Sequence, residues 1–258
     1  MPCIEEDFRG MRLKTRQIVL FSVLLILGGG ITSALFGADN LEAFSPPDSI
    51  PSKNMLSIND VDSIGSDEEE RYLHLTESDF KLVAEELDVE VAAIKAVVEI
   101  EAGKAMKGFW APGIPVINFD RAMYNKYRLK VESTKGAIGE AVPEGLTGYA
   151  KKEWTELINA RKNNAQGANM GTFWGMFQIG GFNYRLCGCE SVDELVKRMA
   201  YSELEQLQLF AMFITNSGMV ESLQKKDWRA FARKYNGPSY AKRGYHTKMA
   251  KAYEKYKK

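Results

Sequence analysis

The chain has 258 residues, 45% apolar and 26% charged, enough for one large domain or two small ones with a substantial core. Two His and three Cys leave a usual zinc site short of ligands and supply no disulfide framework. The formal net charge of zero conceals a division: residues 39–70 hold nine Asp/Glu against Lys53 alone, whereas residues 71–258 hold 29 Lys/Arg against 22 Asp/Glu, a difference of +7. A basic domain behind an acidic spacer suits an anionic polymer as partner, nucleic acid or cell wall, and charge alone does not choose.

In chain order, Met11-Arg-Leu-Lys-Thr-Arg-Gln leads into the apolar run Ile18 to Leu27, then Gly28-Gly29-Gly30 and Ile31 to Ala38. Residues 1–38 therefore have the anatomy of an export signal, with Met11 as an alternative start and cleavage expected after Ala34 or Ala38. Left uncut, Ile18 to Phe36 spans 19 residues, long enough for a membrane tether with its basic flank inside. Either outcome places the remainder outside the cytoplasm, in the periplasm or cell envelope. Residues 39–70, with Pro46-Pro47, Pro51 and Asp67-Glu-Glu-Glu70, read as an acidic disordered linker. Residues 71–258 read as one mainly α domain with a small β element.

Within that domain, Thr76 or Ser78 can cap a helix running to about Leu87, and Asp88 can cap the next. Phe109 to Phe119 carries Pro, Gly and β-branched residues and reads as a loop with a short strand or hairpin. Arg121 to Tyr127 is expected to be helical, and Val131 to Gly148 a mobile surface segment. Tyr149 to Asn163 reads as a helix with Trp154, Leu157 and Ile158 on one side. Leu204, Leu207, Phe210, Ala211, Phe213 and Ile214 form an apolar stripe; Trp228, Phe231 and Ala232 form another. Tyr240 to Tyr256 reads as a basic closing helix or pair of turns.

The helix over Ala92 to Gly103 carries the most informative residue. At about 100° per residue, Val91, Ile94, Val97 and Val98 share one apolar face. Glu101, seven positions after Ile94, falls roughly 20° short of two full turns and shares that face. Glu99 points the other way, where Lys95 can pair with it at i,i+4. A carboxylate on a core-facing stripe, near the negative end of a helix that Gly103 terminates, has its pKa raised by burial and by the dipole. That is the property a general acid near neutral pH requires. The competing reading is a frayed helix end with Glu101 turned to water.

Elsewhere no serine lies in a nucleophile elbow and no phosphate-binding loop appears. Cys187-Gly-Cys189 would close a strained ring if bonded, so no structural disulfide is expected there. His246, among Tyr and Lys, reads as a surface or packing residue. Carboxylates remain, and they are the tools of glycoside cleavage. Trp174-Gly-Met-Phe-Gln178-Ile-Gly-Gly-Phe-Asn183 places one amide in an apolar run, to be satisfied by backbone or by a sugar amide. Tyr235-Asn236-Gly237-Pro238-Ser239-Tyr240 places an amide and two aromatics on a turn, either to hold a sugar or only to end a helix.

Taken together and in order, Val97-Val98-Glu99-Ile100-Glu101, Trp174 to Ile179 and Tyr235 to Tyr240 resemble the lysozyme-like superfamily. The nearer resemblance, over roughly 75–256, is to the N-acetylmuramidase family of phage endolysins and bacterial cell-wall enzymes. It also rests on Ile117-Asn-Phe-Asp120, Gly181-Phe-Asn-Tyr184, Ser202-Glu203 with Gln206-Leu207, and Asp227-Trp228. The resemblance implies a mainly α, lysozyme-like fold that cleaves the N-acetylmuramic acid–N-acetylglucosamine bond of peptidoglycan. It places the catalytic Glu at Glu101 and the sugar groove at Gln178, Tyr235, Asn236 and Tyr240. Ala102 and the Gly171-Thr172-Phe173 loop depart from the family, with Thr172 as a stand-in hydroxyl. Asp120 is a candidate second carboxylate or a structural partner of Arg121. The expectations are no cofactor or metal, no nucleic-acid partner and a monomer. A lytic transglycosylase yielding an anhydro product, or a non-catalytic wall-binding module, stays open as an alternative.

Overall fold

The computed structural model describes residues 74–103, 107–132 and 140–257. The expected export signal (1–38) and acidic linker (39–70) lie outside these residues, as do 133–139 of the segment expected to be mobile. No described helix is long and apolar enough to cross a membrane.

Helix α1 (Glu77–Glu86) starts at Thr76 through a capping box, with Thr76 accepting from the Asp79 amide and Asp79 accepting in return. Helix α2 (Val91–Ala102) begins at Glu90, not at the expected Asp88. Asp88 instead takes a left-handed φ of 51° and turns the chain between α1 and α2, a conformation a short polar side chain tolerates. The expected hairpin forms from β1 (Phe109–Ala111) and β2 (Ile114–Pro115). A second, three-stranded antiparallel sheet joins β3 (Ile117–Phe119), β4 (Thr172–Trp174) and β5 (Ile179–Gly180) in that order. Its long-range pairing, Asn118 opposite Phe173, has no signature in local periodicity.

Between the sheets' strands lie α3 (Arg121–Tyr127), α4 (Gly148–Arg161) and α5 (Ala165–Met170). After β5 come α6 (Val192–Met199), α7 (Glu203–Asn216), α8 (Val220–Gln224) and α9 (Trp228–Asn236). The closing stretch is a pair, α10 (Tyr240–Arg243) and α11 (Tyr245–Tyr256), because Gly244 at φ 66° interrupts the helix. The result is mainly helical.

Helix α2 is the axis of the core. Ala92, Ala93, Ile94, Ala96, Val97 and Val98 are all buried, and α2 packs along α11, which in turn lies on α9. Alanines on several sides permit that close approach. Leu207, Phe210, Ala211, Phe213 and Ile214 of α7 are buried as the stripe requires, while Leu204 is half-buried. The outer ion pairs differ from expectation: Lys95 pairs with Glu77, and Glu99 accepts from Lys255 and Tyr256 at 2.6 Å each. Cys187 and Cys189 are buried, unbonded thiols. Burial raises both, Cys189 to about 11.

Candidate active site

Two helix ends build the site. Glu101 sits in the last turn of α2, 2% exposed, so the inward reading holds over the frayed-end one. From the end of α9, Asn236 Nδ2 donates to Glu101 Oε1 at 3.1 Å, in the interior. Both helices stop at a glycine in nearly the same conformation: Gly103 at φ 75°, ψ 176°, and Gly237 at φ 71°, ψ −173°. That region is essentially closed to residues with a Cβ. It turns the chain away at once, so the last-turn side chains of α2 and α9 meet without a following turn of helix between them.

The third component is the turn after β4. Gly175 takes φ 69° and Gln178, a residue with a Cβ, takes φ 49°. Gln178 Nε2 donates back to the Gly175 carbonyl at 2.8 Å, which leaves Oε1 buried without a partner. Asn236 Oδ1 is in the same state. Two buried acceptors without a protein partner cost stability.

A cleft of about 210 Å³ opens here, lined by Glu101, Lys107, Phe109, Trp110, Tyr149, Met176 and Gln178 among others. Trp110 and Tyr149 meet edge to face, ring centroids 6.1 Å apart. The Tyr149 hydroxyl is buried with no partner, and burial, with Glu153 nearby, holds it far above the ordinary phenol range. Among the described residues lining the cleft, Glu101 is the one carboxylate.

Buried polar residues on α7 hold these walls in place. Glu203 accepts from the amides of Gly108, at 2.8 Å, and Leu75, at 3.1 Å. Gln206 accepts from the Met176 amide at 2.8 Å and donates to the carbonyls of Met199 and Gly108 at 2.8 and 3.2 Å. One side chain therefore ties the β1 wall to the Gly175–Gln178 turn. A Cβ on Gly108 would stand 2.4 Å from Gln206 Oε1 and displace that amide from its hydrogen bonds.

The remaining expected site residues lie elsewhere. Asp120 is the N-cap of α3: its Oδ1 accepts from the amides of Ala122 and Met123 at 2.8 and 2.9 Å. Arg121 pairs with Glu156, not with Asp120. Thr172 is fully buried in β4 and donates to the Ala168 carbonyl at 2.8 Å. Neither is among the residues lining the cleft. Tyr235 lies beneath the site: 1% exposed, stacked on Phe231, it donates to the Phe177 carbonyl at 2.9 Å. Its phenol is held far above the usual range by burial, and the Glu101 charge adds to that. It supports the turn that carries Gln178 and offers no platform for a sugar. Tyr240, half-buried on α10, packs edge-on to His246 at 5.4 Å, also away from the lining.

Sequence reasoning assigned no role to Trp110, Tyr149, Glu203 or Gln206. For the last two a signal existed. Glu203 precedes Leu207 and Phe210 by four and seven positions, and Gln206 precedes Phe210 and Phe213 by the same spacings, so the periodicity that turned Glu101 inward turns them inward too.

Comparison with known proteins adds three findings. Residues 90–257 match the family model described as Muramidase, N-acetylmuramidase. The crystal structure of the Burkholderia AP3 phage endolysin is similar at 33% identity and a TM-score of 0.60, over 71% of each chain. No curated protein matches.

Proposed function

The chain belongs to the N-acetylmuramidase family, glycoside hydrolases of lysozyme type acting on peptidoglycan, and from that premise we propose that it cuts the β-1,4 bond between N-acetylmuramic acid and N-acetylglucosamine with Glu101 as general acid. The observation that carries this reading is the buried contact between Glu101 on α2 and Asn236 on α9 at 3.1 Å. A carboxyl so enclosed is held in one position, from which it can give its proton to the glycosidic oxygen as the bond breaks. The unpaired oxygen of Gln178, which lines the cleft, is an acceptor for a sugar N–H or O–H group, and Asn236, outside the lining, holds the acid in place. Water then completes hydrolysis.

One observation favours a second reading. Glu101 is the one carboxylate among the described lining residues and Asp120 caps α3, so the described lining offers no second carboxylate to activate water. The 6-hydroxyl of the muramic acid attacking in its place would yield an anhydro sugar, the lytic transglycosylase outcome. Mass spectrometry of fragments released from purified sacculi separates the two, since the anhydro product is lighter by one water. Glu101→Gln abolishes release under both readings. Wild-type lysis by that variant removes Glu101 from the mechanism, and sedimentation with sacculi without any released fragment points to a binding module.

Residues 1–38 as export signal or tether, and the cell envelope as the site of action, are part of the same proposal. Their support is the basic-apolar-small pattern and a substrate that lies outside the cytoplasm.

A further inference from the structure

The positive excess of the domain is not spread over it. Residues 225–258 hold 12 Lys/Arg against Asp227 and Glu254 alone. Residues 71–224 hold 17 Lys/Arg against 20 Asp/Glu, so 12 − 2 = +10 on the last helices meets 17 − 20 = −3 on everything before them. Some of these cations are spent on neighbours: Lys225 on Glu221, Lys226 on Glu90, Lys255 on Glu99, and Lys234 on the Gly218 carbonyl. Arg229, Arg233, Lys242, Lys248 and Lys251 are exposed and make no ion pair among the described residues. Arg229 and Arg233 are one turn apart on α9; Lys248 and Lys251 follow i,i+3 along α11. Such a concentration of unpaired like charge carries a repulsion that an anionic partner relieves.

These are also the helices that make the site. Helix α9 delivers Asn236 to Glu101, α10 follows the Gly237 turn directly, and α11 packs on α9 and α2. A glycan strand is far longer than a cleft of about 210 Å³, so its neighbouring repeats pass over the surface around it. A membrane-binding face would combine its cations with exposed apolar anchors. Among the described residues the exposed large apolar ones are Leu82 and Leu129, neither of them on α9, α10 or α11.

Resting on the cleft being a peptidoglycan site, we propose that the exposed cations of α9, α10 and α11 form a docking face for the free carboxylates of peptidoglycan stem peptides. The face selects anionic, peptide-bearing strands and raises their local concentration at Glu101, while the bond-breaking step depends on the cleft alone. Its action is therefore confined to KM.

The test uses the full chain with Arg229→Gln, Arg233→Gln, Lys248→Gln and Lys251→Gln combined, folding checked by circular dichroism. Digestion of sacculi is followed at about 0.01 M and about 0.5 M salt, on either side of a Debye length of roughly 10 Å. The expected result is a KM raised about tenfold at low salt with kcat unchanged, converging on wild type at high salt. Sacculi whose carboxylates have been converted to amides raise the wild-type KM similarly and add nothing to the variant's. An unchanged KM, a fall confined to kcat, or an equal loss on amidated sacculi overturns the proposal. So does binding of the wild type to anionic lipid vesicles that the variant loses while its sacculus KM stays the same. Should the wild type release no fragments, the cleft reading fails separately, and co-sedimentation with native against amidated sacculi still decides the docking face.

Discussion

Glu203→Gln measures how far the catalytic wall depends on a residue outside the cleft. Glu203 is 2% exposed and holds two backbone donors, Gly108 at 2.8 Å and Leu75 at 3.1 Å, one on each oxygen. Glutamine has the same shape but one acceptor oxygen. It keeps the buried Gly108 bond, weakened from charge-assisted to neutral, and turns its NH₂ toward the Leu75 amide. Losing charge assistance costs about 1 kcal/mol and an amide facing another donor about 1–3 kcal/mol. Loss of an anion from the first turn of α7 adds roughly 0.3–1 kcal/mol. Relief of the carboxylate's own desolvation offsets part of this, leaving about 2 kcal/mol. For a domain of this size that lowers Tm by about 4–8 °C.

Glu203→Leu removes both acceptors, leaves the buried Gly108 amide unpaired, and costs about 4 kcal/mol. Because Gly108 precedes Phe109 and Trp110 on the cleft wall, kcat/KM on sacculi falls further in the Leu variant than in the Gln variant. Thermal melts by circular dichroism and a turbidity assay report the two effects. A Glu203→Gln protein melting within about 1 °C of wild type would refute the reasoning, since both amides would then be satisfied without the carboxylate.

Gly181→Ala is expected to be severe, because the added Cβ would meet the Asn169 backbone carbonyl oxygen at 2.0 Å, which cannot swing aside as a side chain can, at a cost above roughly 3 kcal/mol. Gly145→Ala, with φ 77° but nothing within 4 Å, costs only about 1 kcal/mol; equal melting temperatures would contradict the contrast. Tyr149→Phe removes a buried hydroxyl with no partner and raises stability by up to about 1 kcal/mol, and Tm with it, whereas a lowered Tm would mean the hydroxyl is bonded. The Cys189 thiol, held at about 11 against roughly 8.5 when unfolded, keeps its proton longer in the folded chain. Its contribution is intact below about pH 8.5 and is lost as pH rises toward 11, on the order of 3 kcal/mol. Urea midpoints at about pH 8 and 10.5 should therefore diverge, less so in Cys189→Val, and a pH-independent wild type would sink the argument.

The helices were legible because their faces repeat at the helical period. The Glu101 side chain was legible for the same reason: a residue seven positions after Ile94 has to share its face. Asn236 was not, since nothing local to α9 says that its last residue meets the last turn of α2; only the order of motifs connected them. Asp120 shows the converse. Its place before Arg-Ala-Met, at the start of a short helix, is the local pattern of a cap, and it accepts from two amides there. Thr172, a candidate groove hydroxyl by its place before Trp-Gly, is fully buried in β4 of the three-stranded sheet, with its hydroxyl given to the Ala168 carbonyl. That sheet joins segments more than fifty residues apart, which single-strand patterns cannot reveal.

The two glycine stops give the site its chemistry as well as its shape. Gly103 and Gly237 end α2 and α9 at φ 75° and 71° with ψ near 180°, so neither helix can continue past its functional side chain and cover it. A Cβ at Gly237 is expected to shift the chain out of this region, moving Asn236 relative to Glu101 while the buried residues of α9, Phe231, Ala232 and Tyr235, remain anchored in the core. Asn236 then loses its 3.1 Å bond to Glu101 before the helix loses its packing. Activity in Gly237→Ala should accordingly fall by a larger factor than stability does, and glycine at this position is a requirement of the acid's geometry more than of the fold.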